Sequence, residues 1–397
     1  MNNTALYLTV KAEKKFNNLV EYLRHNNTYF AQHINNSRFL EIYSELPYSD
    51  KNSIKKVGEE YLSAKEGQIF WEYTSGSSGI PFKCYKTDYE RQLLSLHIWK
   101  CRRNIDKMVS PNNFMELLGK NASKQIDFSD LCKENVEKIL LYFLEKKPRW
   151  ICLSPTMAYY YALVAKRNNY RCDSIKFIEL QGEYIDKNQR TFIEKAFNAK
   201  TILQYGMRET WTIAYECPHG YLRILSDIYQ LEICDLDENG YGEIIVSSNI
   251  CKYMPFIKYK TGDVAKISVN SKCECGKVNP WVIKLREGRK ANCIEGHENL
   301  IADIVFKRII RKSIKPYGYD VLLITSFRVI QLGPQNFIFE IVRGDKYNAE
   351  IEKNIIKNTN KILGEQNNIT FQYVDKTNIS KNGKHLYISL KGEDKHG

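Results

Sequence analysis

The sequence predicts an α/β protein with a large N-terminal domain over residues 1–288 and a small α+β domain over residues 289–397. Three observations carry this. Between residues 149 and 206 short apolar runs alternate with helical stretches; between residues 221 and 270 strands follow one another across turns; beyond residue 288 helix and strand signals mix afresh. At 397 residues, 43% hydrophobic and 12% aromatic, the chain has ample material for two or more cored domains.

Residues 12–65 carry helical periodicity, with Phe16, Leu19, Val20 and Leu23 at spacings of three and four. In ELPYSDKNSIKKVGEEYL, Ser49 or Asp50 offers an N-cap to a further amphipathic helix. Then comes YTSGSSGIPFK, residues 73–83. Gly76 and Gly79 let backbone N–H groups approach an anion, Thr74, Ser75, Ser77 and Ser78 add donors, and Lys83 offers a compensating charge. Such a loop suits the phosphates of a nucleotide; on this segment alone a Ser/Gly-rich linker remains an equal alternative.

A helix is expected over residues 88–103. From Arg149 onward WICLSP, MAYYYALVAKR, SIKFIELQGE, RTFIEKAF and AKTILQYG alternate strand with helix. That succession implies parallel strands, with ligands gathering at their C-terminal ends. YLRILSDIYQLEICD and GEIIVSS read as strands of a β subdomain, joined by a turn at residues 237–242. In the small domain the expected elements are a helix near 302–312, strands near 322–330 and 337–342, a helix near 347–363 and a strand near 369–374.

No run reaches the roughly eighteen apolar residues of a membrane span. The start, MNNTALYLTVKAEKKF, carries neither a signal-peptide nor a transit pattern, so a cytoplasmic protein is expected. There the 11 Cys would be thiols or metal ligands rather than a disulfide framework. The net charge of +13 is dispersed along the chain, which argues against nucleic acid as the partner.

Four further segments carry chemistry. QYGMRE, residues 204–209, ends in Glu209, a carboxylate suited to Mg²⁺. YKTGD, residues 259–263, sets Asp263 after a Gly turn, where it can accept from ribose hydroxyls. REGR, residues 286–289, stands at the domain boundary, and SKNGK, residues 380–384, delivers a lysine near the C-terminus.

Together TSGSSGIPFK, IEKAFNAKTILQYGMRETWTIAYECPHGYLRI, GEIIVSSNICKYMPFIKYKTGD, CECGKVNPW and the NGK lysine resemble the adenylate-forming superfamily. The resemblance is to the branch of phenylacetate-CoA ligase and the CapK-type proteins. It implies an AMP-binding large domain, a mobile C-terminal lid and a two-step reaction: a carboxylate attacks the α-phosphate of ATP, giving an acyl adenylate and pyrophosphate, and a nucleophile then displaces AMP. It assigns the loop from Thr74 to Lys83 to the β and γ phosphates, and Glu209 to Mg²⁺. Tyr205 and Gly206, with the Gly182 and Glu183 turn, fall to the adenine, Asp263 and Arg289 to the ribose, and Lys384 to the α-phosphate and carboxylate. Where the superfamily usually has Thr before this glutamate, the chain has Arg208, which is expected to bind phosphate with a different geometry, and an acidic hinge residue after Arg289 is replaced by Lys290, Ala291 and Asn292.

Cys217 and His219 in ECPHG, with Cys273 and Cys275 in KCECGK, make a Cys₃His set suited to structural zinc. Some members of the branch take their histidine ligand from a GLHI phrase; here that phrase is YLRI, with Arg223, and His219 is the expected substitute. The acid is left open: the resemblance implies an aromatic or other hydrophobic one, while Trp71, Tyr73, Phe82, Tyr159, Tyr160, Tyr161 and Trp211 read more readily as core packing than as a substrate pocket. The acceptor is CoA or a carrier-protein thiol, with an amine or hydroxyl as the alternative; a catalytically degenerate nucleotide-binding protein is the third reading. A homodimer is compatible with the branch.

Overall fold

A computed structural model of the chain describes residues 10–35, 38–74, 82–115, 120–121, 126–127, 133–185, 187–289, 293–295, 300–302, 304–317, 323–333, 335–364, 367–375 and 388–390. Two compact units make it up: Met1–Val109 with Ile202–Arg286, and Ser110–Thr201 with Glu287–Gly397.

The first unit opens with the helix Val10–Asn26, whose stripe of Phe16, Leu19, Val20 and Leu23 is fully buried. Asp50 is the N-cap of the helix Lys51–Val57 and forms a capping box with Ser53. The helical lead-in shares one core with Phe82, Ile213, Tyr229, Val246, Phe256 and Tyr259 from the strands. Those strands run in the order Tyr229–Cys234, Gly242–Ser248, Tyr259–Val269, Trp281–Arg289, Leu222–Ile224, Trp211–Glu216, Lys200–Met207. The β texture expected over 221–270 is present. Two strands, Trp211–Glu216 and Trp281–Arg289, had not been expected.

The helix Asp88–Ile105 follows the hairpin of Ile69–Thr74 and Phe82–Thr87. Thr87 caps it, and Glu90 returns a hydrogen bond to the Thr87 N–H. The second Glu90 oxygen accepts from the N–H groups of both Lys252 and Tyr253. One buried carboxylate therefore both starts a helix and fixes a distant loop.

In the second unit Phe114–Met115, Trp150–Leu153 and Phe177–Gln181 pair in parallel, as the alternating pattern requires. The helices Pro155–Arg167 and Lys187–Phe197 lie where expected; Lys133–Lys146 is an addition. Farther on, the antiparallel pair Ile324–Gly333 and Asn336–Arg343 is flanked in parallel by Asn368–Tyr373 and Ile388–Leu390. Helices Ile304–Ile314 and Ala349–Leu363 supply Phe306, Ile309, Ile351 and Ile355 to a core with Val329, Phe339 and Ile341. This is the α+β assembly anticipated for the C-terminal region. Among the described residues no helix is long and apolar enough to cross a membrane.

Removing the Thr87 cap alone, by Thr87→Ala, is expected to cost about 1 kcal/mol. Glu90→Ala strands three backbone donors and should cost about 3 kcal/mol or more. Denaturant titration of the two variants checks this ranking, and equal losses would refute the dual role of Glu90.

Candidate active site

The phosphate-loop candidate is framed by the hairpin in which Thr74 pairs with Phe82 and Tyr73 with Lys83. Ser75, Gly76, Ser77, Ser78 and Gly79 lie outside the described residues. Thr74 is buried, and its hydroxyl has no hydrogen-bond partner among the described residues. Among the described residues Lys83 does not meet an anion. Its Nζ rests 4.5 Å from the centre of the Trp71 ring and 5.0 Å from that of Tyr85, because the register puts all three on one face.

The segment from 204 to 209 closes a tight hairpin in which Met207 pairs with Trp211, leaving Arg208, Glu209 and Thr210 as the turn. None of these is a customary turn former; the reversal is absorbed by Trp211 at φ +62° and by a register shift between Tyr205 and Gly206. Gly206 is required. A Cβ built on it would lie 2.0 Å from the Trp211 carbonyl oxygen.

The turn presents Glu209 inward, 2% exposed. Its Oε1 accepts from the Tyr259 hydroxyl at 2.9 Å and faces the Lys51 ammonium at 3.5 Å. Burial, reinforced by the neighbouring Glu209 charge, pushes the Tyr259 phenol far above its usual pKa, so it stays a donor. Among the described residues nothing hydrogen-bonds the other Glu209 oxygen, so a carboxylate with one oxygen anchored and one available fits a Mg²⁺ ligand.

Arg208, in the place of the usual Thr, turns towards the loop-bearing hairpin. Its Nη1 lies 3.4 Å from Glu72 on the loop-bearing hairpin, and that carboxylate also accepts from Trp211 Nε1 at 2.9 Å. Buried Lys86 binds the Arg208 carbonyl at 2.7 Å and sits 3.8 Å from Glu72. The loop hairpin and the Glu209 turn are thereby locked together.

Asp263 stands where the strand Tyr259–Val269 bulges against its neighbour. The Thr261 hydroxyl donates to the Ile244 carbonyl and accepts from the Asp263 N–H, while Gly262 adopts φ +74°. This distortion brings Asp263 to the Tyr205 hydroxyl at 3.0 Å. Two predicted nucleotide residues, 58 positions apart, are thus in contact.

In the second unit Gly182, at φ +87°, turns the chain after the strand Phe177–Gln181. Glu183 is not presented outward: its Oε2 accepts from the Thr156 N–H and hydroxyl and lies 3.8 Å from the Lys307 ammonium. Lys384 lies outside the described residues, as does the side chain of Arg289.

The Cys₃His set is assembled only in part. The thiols of Cys217, Cys273 and Cys275 lie within 4.8 Å of one another. His219, expected as the fourth ligand, is exposed and is not part of that group. Sequence reasoning passed over Lys51, Glu72, Lys86 and Tyr259. Tyr259 opens the YKTGD segment, and Lys51 follows the Asp50 cap, so both stood in segments already singled out.

No family model and no curated protein matches the chain. Among solved structures it is similar to 2-hydroxyisobutyryl-CoA ligase in the postadenylation state in complex with 2-HIB-AMP, with a TM-score of 0.73 and 13% identity over 96% of this chain and 89% of that one. It is also similar to the GH3.15 acyl acid amido synthetase, at a TM-score of 0.60 and 9% identity over 92% and 86% of the two chains. Amide bond synthetase McbA from Marinactinospora thermotolerans follows at 0.53 and 14%, over 79% and 67%. At these identities the likeness is one of fold.

Tyr259→Phe deletes the donor to Glu209 and should lower stability by about 1.5–3 kcal/mol, the range for a hydrogen bond to a charged group. Gly206→Ala should cost more, since backbone must move. Urea midpoints of both variants test this; a Gly206→Ala protein as stable as the parent would contradict the close approach.

Proposed function

We propose that this chain, whose fold is that of the adenylate-forming superfamily, activates a carboxylic acid as its acyl adenylate and passes the acyl group to a thiol, that of CoA or of a carrier protein. The observation that carries the reading is the contact of Tyr205 with Asp263 beside the Glu209 turn. It draws the QYGMRE and YKTGD segments into one polar site on a single unit.

In the first step a substrate carboxylate oxygen bonds to the α-phosphorus of ATP and the bond to pyrophosphate breaks. Asp263, steadied by Tyr205, accepts from the ribose hydroxyls. Thr74, Ser75, Ser77, Ser78 and Lys83 hold the leaving pyrophosphate, with Gly76 and Gly79 giving the backbone its close approach. Glu209, fixed through Oε1, would hold Mg²⁺, which supplies charge neutralisation at the phosphates when bound. Lys51 tempers the negative charge at the same carboxylate. Lys384, on the C-terminal domain over residues 289–397, supplies the cation that lets two anions meet. In the second step sulfur bonds to the acyl carbon, the thiol proton is lost and AMP leaves.

A second acceptor class is favoured by the fold likeness to two amide-forming synthetases. There an amine nitrogen replaces sulfur in the second step and the first is unchanged.

Acid-dependent exchange of labelled pyrophosphate into ATP, run over a panel of carboxylic acids, tests the activation step. Asp263→Ala and Lys384→Ala should each lower exchange by about 10²-fold or more. Exchange with no acid, or full exchange in Lys384→Ala, would refute adenylation as proposed. Product masses with CoA, carrier protein and amines offered in parallel then decide the acceptor.

A further inference from the structure

The three-cysteine cluster has an occupant already. Arg223, on the short strand Leu222–Ile224, is 5% exposed, and its guanidinium reaches into the turn over residues 270–279. Nη2 donates to Cys273 Sγ at 2.9 Å, and Nη1 donates to the Asn270 carbonyl at 3.0 Å and the Asn279 carbonyl at 2.6 Å. Asn279 reciprocates by donating its side-chain amide to the carbonyl of Ile224, next to Arg223. Gly276 makes the fit possible, since a Cβ there would stand 3.0 Å from Arg223 Nη2 and 2.4 Å from the Asn270 oxygen. Cys275 is served separately, by Asn104 Nδ2 at 3.9 Å.

This set does not suit a tetrahedral zinc ion. A closed structural zinc site takes four protein donors; among the described residues three thiols are gathered here, and the guanidinium beside them has no lone pair to give. His219, the fourth donor expected from the sequence, is exposed and outside the cluster.

We propose that Arg223 replaces the metal: its guanidinium cross-links the Cys217 hairpin to the Cys273–Cys275 turn, and the folded protein takes up no zinc. A zinc ion would tie the same two segments through sulfur; here the fork of one arginine does so through a sulfur and two carbonyl oxygens. The arrangement depends on Arg in particular, because lysine carries the charge without the planar fork that reaches three acceptors at once.

The test is made on the full chain, produced in zinc-supplemented medium, purified without chelator under reducing conditions and analysed by elemental mass spectrometry. The parent protein should hold below about 0.1 equivalent of zinc, and a strong chelator should leave its melting temperature unchanged. Arg223→His supplies the fourth donor at the same strand and should take up about one equivalent, with melting now sensitive to chelator. Arg223→Lys should bind none and melt several degrees lower. A parent protein carrying near-stoichiometric zinc, and melting lower when chelated, overturns the proposal. So does a folded Arg223→His protein that binds none, or an Arg223→Lys protein as stable as the parent. If the histidine variant fails to fold, the parent's zinc content and the lysine variant still decide the matter.

Discussion

The first unit depends on giving its carboxylates partners from distant segments, and Glu209 shows this at one of its two oxygens. A buried carboxylate without partners is costly enough to unfold a segment or take up a proton. The Glu209 Oε1 meets Tyr259 and Lys51, which come from a distant strand and from the helical lead-in. The same solution recurs. Glu90 gathers N–H groups from Thr87, Lys252 and Tyr253; Glu232 accepts from the hydroxyls of Tyr43 and Tyr48; Glu72 joins Arg208, Trp211 and Lys86. Apolar burial gathers the unit's elements, and these acids set which segments must lie side by side.

Much of the architecture was legible because it rests on local rules. The stripe of Phe16, Leu19, Val20 and Leu23, the Asp50 cap and the alternation from Trp150 to Met207 are written in spacing and side-chain type. The strand Trp211–Glu216 was not legible, because nearly all of it is buried and its turn contains no Gly, Pro, Asn or Asp. Its reversal rests on a tryptophan with positive φ, which no propensity would suggest. At the site, the segments carrying Tyr205, Glu209 and Asp263 were readable, whereas their partners were not. Lys51 and Tyr259 acquire meaning only from tertiary neighbours.

A second theme is the use of built-in cations. Lys51 faces Glu209, Lys86 lies under the Glu72 cluster, and Arg223 fills the cysteine turn. Each is attached to the chain and so is present at every stage of folding, unlike an ion that must be captured from solution. Lys83 differs, since its charge rests on the faces of Trp71 and Tyr85. Such contacts are weak at an exposed site, of order 0.5–1 kcal/mol, so an incoming anion can draw the ammonium away at little cost.

The pairing of Thr74 with Phe82 has a consequence for how this protein could change over time. Both ends of the segment 75–81 are held by the ladder that continues to Ile69 and Thr87. The entropy of closing such a loop grows only with the logarithm of its length, so added or exchanged residues there perturb stability little. Mutational drift can therefore rewrite residues 75–81 while the strands Ile69–Thr74 and Phe82–Thr87 stay in register. In a fold shared by proteins at 9–14% identity, that separation of scaffold from tip is a route by which chemistry diverges and architecture endures.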